Sequence, residues 1–126
     1  MRAIDTNVLV RLMTRDDERQ VTAAESFVSK GAWVPHLAIA EAVWVLESVY
    51  ERRPADIATA VEMLLSHQHL TIQDEETVAA AVDQYRQTPK AGFSDCLMLA
   101  IARKAGHVPL GTLDRDLGRI DGAQRL

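Results

Sequence analysis

Four acidic residues stand where a strand ends or where a helix should be apolar. They are Asp5 in Ala3-Ile4-Asp5-Thr6-Asn7, Glu41 in Ala38-Ile39-Ala40-Glu41-Ala42, Asp95 in Phe93-Ser94-Asp95-Cys96-Leu97, and Asp114 in Thr112-Leu113-Asp114-Arg115-Asp116. Carboxylates a few ångströms apart cannot all stay ionised without a positive charge among them, so convergence of these four would require a cation. An all-oxygen donor set with spare positions suits Mg²⁺, with Mn²⁺ as a substitute. A zinc cage is excluded on the cysteine side by a single cysteine, Cys96. A hard divalent ion that keeps open positions takes phosphate oxygens, and the chemistry it supports is hydrolysis of a phosphodiester by an activated water. Thr6, Asn7, Ser94 and Thr112 are polar neighbours that would orient ligands or waters around such an ion.

Each acid also has an ordinary alternative. Asp5, Asp114 and Asp116 are good helix N-caps. Asp95 in a first helical turn is favoured by the macrodipole, with Ser94 as the cap itself. Glu41 is the hardest to explain this way. It is the only charged residue between Lys30 and Glu47, and a carboxylate in apolar surroundings costs several kcal/mol unless it is paired or binds a cation.

The elements that must position these residues follow from periodicity and punctuation. Residues 1–5 read as a strand ending at Asp5, 7–14 and 17–30 as helices, and 32–34 as a strand before Pro35. The run from His36 to Glu51 has almost no polar face, which predicts a buried helix. Residues 55–66 carry Ile57, Val61, Leu64 and Leu65 on one stripe. A strand at 69–72 precedes a helix at 74–87 with Val78, Ala81, Val82 and Tyr85 inward. A second apolar helix, 94–105, ends at Gly106, a C-cap residue. Pro109–Thr112 is the last strand, and Asp114 opens a short turn. Alternating strands and helices predict an α/β fold with a short parallel sheet, whose ligands sit beyond the carboxyl ends of the strands. Asp5 and Asp114 lie there.

The chain has 126 residues, 48% hydrophobic and 25% charged, which fits one globular domain, 1–126, and argues against disorder. No apolar run reaches the roughly 20 residues of a membrane span, and the start lacks a signal peptide's organisation, so the expected location is cytoplasmic. The net charge of −4 is unusual for a nucleic-acid binder. Arginine nevertheless supplies 11 of the 14 cations, and arginine suits phosphate contacts. Arg11, Arg15, Arg86, Arg115 and Arg119 are candidates for such contacts, although a lone surface arginine is more often solvated or paired.

IDTNVLVRL, AIAEAVWVL, SDCLMLAIARKAG and GTLDRDL, in this order and spacing, resemble PIN-domain ribonucleases, most closely the VapC-like toxins of toxin–antitoxin pairs. The resemblance runs over essentially the whole chain. It implies a three-layer α/β/α PIN-like fold with a short central parallel sheet. It also implies an acidic quartet of Asp5, Glu41, Asp95 and Asp114. Asp5 and Asp95 would be the main Mg²⁺ ligands, with Glu41 assisting metal or water and Asp114 completing the site. The motif alone does not separate Asp114 from Asp116; Asp114 is preferred as nearer the strand end. The implied activity is a metal-dependent endoribonuclease acting on structured RNA such as tRNA or rRNA. The implied partners are a second copy of the chain, forming a homodimer, and a small cognate antitoxin, for which Val8, Leu12, Val21 and Phe27 are candidate contacts if they are not core. Trp33 and Trp44 read as core or dimer-interface residues, and Cys96 as a small buried hydrophobe. His36, His67, His69 and His107 have no ligand spacing. The alternatives are a Mg²⁺-dependent phosphatase, disfavoured because Asp5-Thr6-Asn7 lacks a second aspartate, and a non-catalytic PIN-like interaction module, disfavoured because all four acids are present.

Overall fold

Short strands set the framework, and β1 to β4 are each followed by a helix or helical turn. The computed structural model describes all residues, Met1–Leu126. By internal contacts they group into two units, Met1–Glu75 and Glu76–Leu126. In the first unit, β1 (Arg2–Ala3), β2 (Ala32–Val34) and β3 (Leu70–Ile72) form a parallel sheet in the order β1-β2-β3. The register places Ala3 beside Trp33 and Trp33 beside Thr71. Ala32, Val34, Leu70 and Ile72 are buried, which is the alternation a half-covered sheet requires.

Helix α1 (Thr6–Thr14) starts at Asp5, whose extended backbone and side chain cap it, and stops at Arg15 in the left-handed region, φ 54°. Helix α2 (Glu18–Val28) is capped by Asp17. Helix α3 (His36–Ser48) follows Pro35 directly, and α4 (Pro54–Leu65) opens on Pro54, whose missing N–H is not needed there. Helix α1 packs on α2 and α3, α3 on α4, and α4 on β3. Leu9, Val10, Ile39, Val43, Ile57 and Val61 fill the core between them.

The second unit holds most of α5 (Glu75–Gln87), α6 (Phe93–Ala105) and a two-stranded parallel sheet of β4 (Leu110–Thr112) and β5 (Ala123–Arg125). Tyr85 and Phe93 meet edge to face with ring centroids 5.8 Å apart. Helix α6 ends at Gly106, φ 82°, a left-handed cap that costs a residue without Cβ little. No helix is long and apolar enough to cross a membrane.

Most predicted elements are present within a residue or two. Three expectations are corrected. The sheet is divided into a three-stranded and a two-stranded part, and β5 was not foreseen. The N-cap of α6 is Gly92, not Ser94. Helix α3 is not buried all round: Ala38, Ile39, Ala42, Val43 and Leu46 face the core, while Leu37 and Trp44 are 69% and 64% exposed and Glu41 lies between them on the outward side. Apolar residues outnumber the places that the core offers, so the surplus faces outward.

Candidate active site

Asp5 is reached by the ladder itself. The Ile4 N–H donates to the Trp33 carbonyl at 3.1 Å, one residue past β1, and Asp5 follows. Its Oδ1 accepts the Val8 N–H at 3.0 Å, so one carboxylate oxygen holds the helix end and the other has no such duty. Asp5 and Asn7 are exposed and Thr6 is half-buried. Because β1 and β2 are parallel, α3 leaves the sheet at the same carboxyl edge as Asp5. Glu41, on the second turn of α3, is exposed. The expected cost of burying Glu41 therefore does not arise, and burial gives Glu41 no need of a cation.

In the second unit the charge of one of the four acids acts on another. Asp95 is half-buried in the first turn of α6. Burial pushes its carboxyl up from the usual range, and the charge of Asp114 pushes it further. Asp114 is rigidly held: its Oδ2 accepts the Leu117 N–H at 2.7 Å, and its own N–H donates to the Thr112 hydroxyl at 3.0 Å. Asp114, rather than Asp116, is the acid whose charge bears on Asp95. Asp116 is half-buried and its side chain caps nothing. Ser94 is exposed.

Two carboxylates whose mutual repulsion raises a pKa are a donor set for a hard cation, which removes that penalty when it binds. Within neither unit do three His, Cys, Asp or Glu side chains gather into a metal-holding group.

A family model for the PIN domain matches residues 3–123. The chain belongs to the PIN domain family. Neither the curated proteins nor the solved structures yield a match. PIN domains are generally metal-dependent nucleases, with the α/β/α fold class that the helices and short parallel sheets here express. The match spans all four acids and the strand ends that carry Asp5 and Asp114.

Other side chains of this PIN domain take the roles expected of bystanders. Cys96 is 1% exposed, and burial, with the charge of Asp95, pushes its thiol up to about 11, so it is no nucleophile at neutral pH. His67 accepts the His69 N–H on Nδ1 at 3.1 Å. Beside α1, a cavity of about 390 Å³ is lined by Asn7, Val8, Arg11, Gln20, Ala23, Ala24 and Phe27. Val8 and Phe27, candidate partner contacts unless core, line this cavity. Val21 is buried in the core instead, and Leu12 lines a separate cavity of about 230 Å³ with Met63 and Leu64. Gln20 and Ala23 gave no signal in sequence, because small and polar residues on a helix are ordinary until a neighbour leaves a gap. Arg11 is not a free cation: Asp16 accepts from it at 2.5 Å, and the Tyr50 hydroxyl donates to the same carboxylate at 2.6 Å.

Proposed function

We propose that this PIN domain, residues 1–126, is a VapC-like toxin, a Mg²⁺-dependent endoribonuclease silenced by a cognate antitoxin. The observation that carries the reading is the PIN family match over residues 3–123, which supports a nuclease, in a chain whose Asp5 and Asp114 stand just past the ends of β1 and β4. Asp5, Asp95, Glu41 and Asp114 are the proposed metal and catalytic residues, with Thr6, Asn7, Ser94, Thr112 and Asp116 behind them. A bound Mg²⁺, or Mn²⁺ in its place, would neutralise charge on the scissile phosphate and acidify a water. The chain's part is to present carboxylates already oriented. Asp114 is fixed by Leu117 and Thr112, and Asp5 by Val8. Glu41, exposed on α3, is the residue proposed to assist metal or water.

The cavity beside α1 supports the antitoxin proposal. Val8, Ala24 and Phe27 offer apolar walls, and Asn7, Gln20 and Arg11 line the same cavity with polar groups. Leu37 and Trp44, exposed on α3, support a homodimer, since such side chains gain by being covered. A cytoplasmic location accords with this role.

The test is direct. Purified protein is incubated with total RNA and, separately, with a small phosphomonoester, in Mg²⁺, Mn²⁺ or EDTA. RNA cleavage in Mg²⁺ or Mn²⁺, abolished by EDTA and by Asp5→Asn or Asp95→Asn, is expected. Cuts that persist in EDTA remove the metal mechanism. A folded Asp5→Asn variant as fast as wild type removes the site assignment. Turnover of the phosphomonoester alone turns the reading to a phosphatase, and inertness toward both to an interaction module.

A further inference from the structure

Between Leu110 and Leu126 the chain carries three arginines, Arg115, Arg119 and Arg125, and three aspartates, Asp114, Asp116 and Asp121. No ion pair forms among the six. In the first unit three of the six arginines are engaged, and Arg19, Arg52 and Arg53 are exposed. There Arg11 pairs with Asp16 at 2.5 Å, Arg15 pairs with Glu25 at 2.6 Å, and Arg2 lies 4.0 Å over the Phe27 ring. Exposed arginines that keep clear of nearby carboxylates are available to an outside anion.

The three belong to one small framework built around Asp114. The register of β4 and β5 sets Arg125 beside Thr112, and the Leu126 N–H donates to the Thr112 carbonyl at 2.9 Å. The turn Leu117–Arg119 lies directly on β5: a Cβ added at Gly118 would stand 2.7 Å from the Arg125 Cβ, so only glycine permits the approach. The Gly118 N–H donates to the Asp114 carbonyl at 3.0 Å, which ties that turn to the acid. Arg119 therefore follows the residue in contact with Arg125, and Arg115 follows Asp114. All three are exposed.

We propose that Arg115, Arg119 and Arg125 form a phosphate clamp that holds the backbone of single-stranded RNA next to Asp114. The proposal rests on the nuclease reading above. A guanidinium binds a phosphate through two parallel N–H donors, and contacts of this kind set position without reading sequence. A polyanion with a charge at every unit satisfies several such groups at once. Such a clamp would let a chain of net charge −4 bind RNA. Its cations are unpaired and stand on one β4–turn–β5 framework, while Arg11 and Arg15 are spent on internal carboxylates.

The test is the salt dependence of binding. A mixed-sequence RNA oligonucleotide is titrated with the full chain in EDTA, across a range of KCl concentrations. Each of Arg115→Gln, Arg119→Gln and Arg125→Gln is expected to reduce the slope of log K against log[salt] by about 0.7, equally for oligonucleotides of different sequence. The corresponding lysine variants restore the slope, because the charge returns. Arg52→Gln and Arg53→Gln, at exposed cations of the first unit, leave it unchanged. Thermal melts of each variant show that Arg125→Gln, which alters β5, is folded. An unmoved slope in the three variants overturns the clamp, as does an equal loss in the Arg52 and Arg53 variants. Poly-glutamate that binds as tightly as RNA, with the same arginine dependence, also overturns it in favour of an acidic protein partner. A wild type that cuts RNA with an unmoved slope in the variants sinks the clamp alone; one that neither binds nor cuts RNA sinks the nuclease reading with it.

Discussion

The carboxyl of Asp95 is subject to opposing influences. The N-terminal end of α6 favours its ionised form, while burial and the charge of Asp114 disfavour it, and the net effect is an upward shift. Its pKa is thus higher folded than unfolded, so ionisation destabilises the fold. This penalty is fully present above the folded pKa and disappears as the pH falls to the unfolded value near 3.8. Asp95→Asn is therefore expected to raise the Tm at neutral pH, with the gain shrinking toward about pH 3, and to abolish cleavage. Melts across that range, with and without Mg²⁺, check it. Mg²⁺ should raise the Tm of the wild type and do much less for the variant, since a ligand stabilises only the state that binds it. Stability gained with activity lost is the mark of a residue kept for function. A Tm lowered by the substitution at neutral pH would assign Asp95 to structure. The residue type and its place at a helix start were legible in the sequence. The coupling to Asp114 was not, because it depends on distance through space. Burial of Cys96 was legible from its apolar helix.

At the scale of elements, caps and the proposed catalytic acids are partly the same residues. Asp5 holds the first turn of α1 through Val8, and Asp114 holds the turn at Leu117. Asparagine caps a helix about as well as aspartate, whereas alanine costs about 1 kcal/mol. Asp5→Asn should accordingly melt within a degree or two of wild type while losing cleavage. Asp5→Ala should lose cleavage and about 1 kcal/mol of stability by denaturant titration. Equal stability of the two would mean that the Val8 N–H bond contributes nothing. Capping signals are what made the elements readable. Asp5 and Gly106 mark ends that the structure keeps. Helix α3 shows the limit of periodicity. Its residues are apolar on both sides, so no pattern said which face would be outward, and Leu37, Glu41 and Trp44 are found there. Strand β5 was illegible for another reason. Ala-Gln-Arg has no alternation, and the strand exists because β4 and the turn at Gly118 offer it partners.

The whole chain poses a question of cooperativity. The unit Glu76–Leu126 contains two helices and a sheet of two three-residue strands. An isolated two-stranded sheet is marginal in water, and chains of about 50 residues hold little core without staples. No disulfide is available, since Cys96 is the only cysteine and is free. The first unit is larger, yet its three strands are two or three residues long. A single PIN family model runs through both, from residue 3 to residue 123. These facts support the proposal that the two units fold as one domain. Calorimetry of the full chain should then show one transition, with the calorimetric and van't Hoff enthalpies equal. The core variant Val82→Ala in α5 and the core variant Val43→Ala in α3 should each shift that one transition, by an amount set by the lost methyl groups and the cavity left behind. Two transitions, each moved by only one of the variants, would overturn the single-domain proposal. The pairing of Asp95 with Asp114 would survive that result, because both acids lie within the second unit.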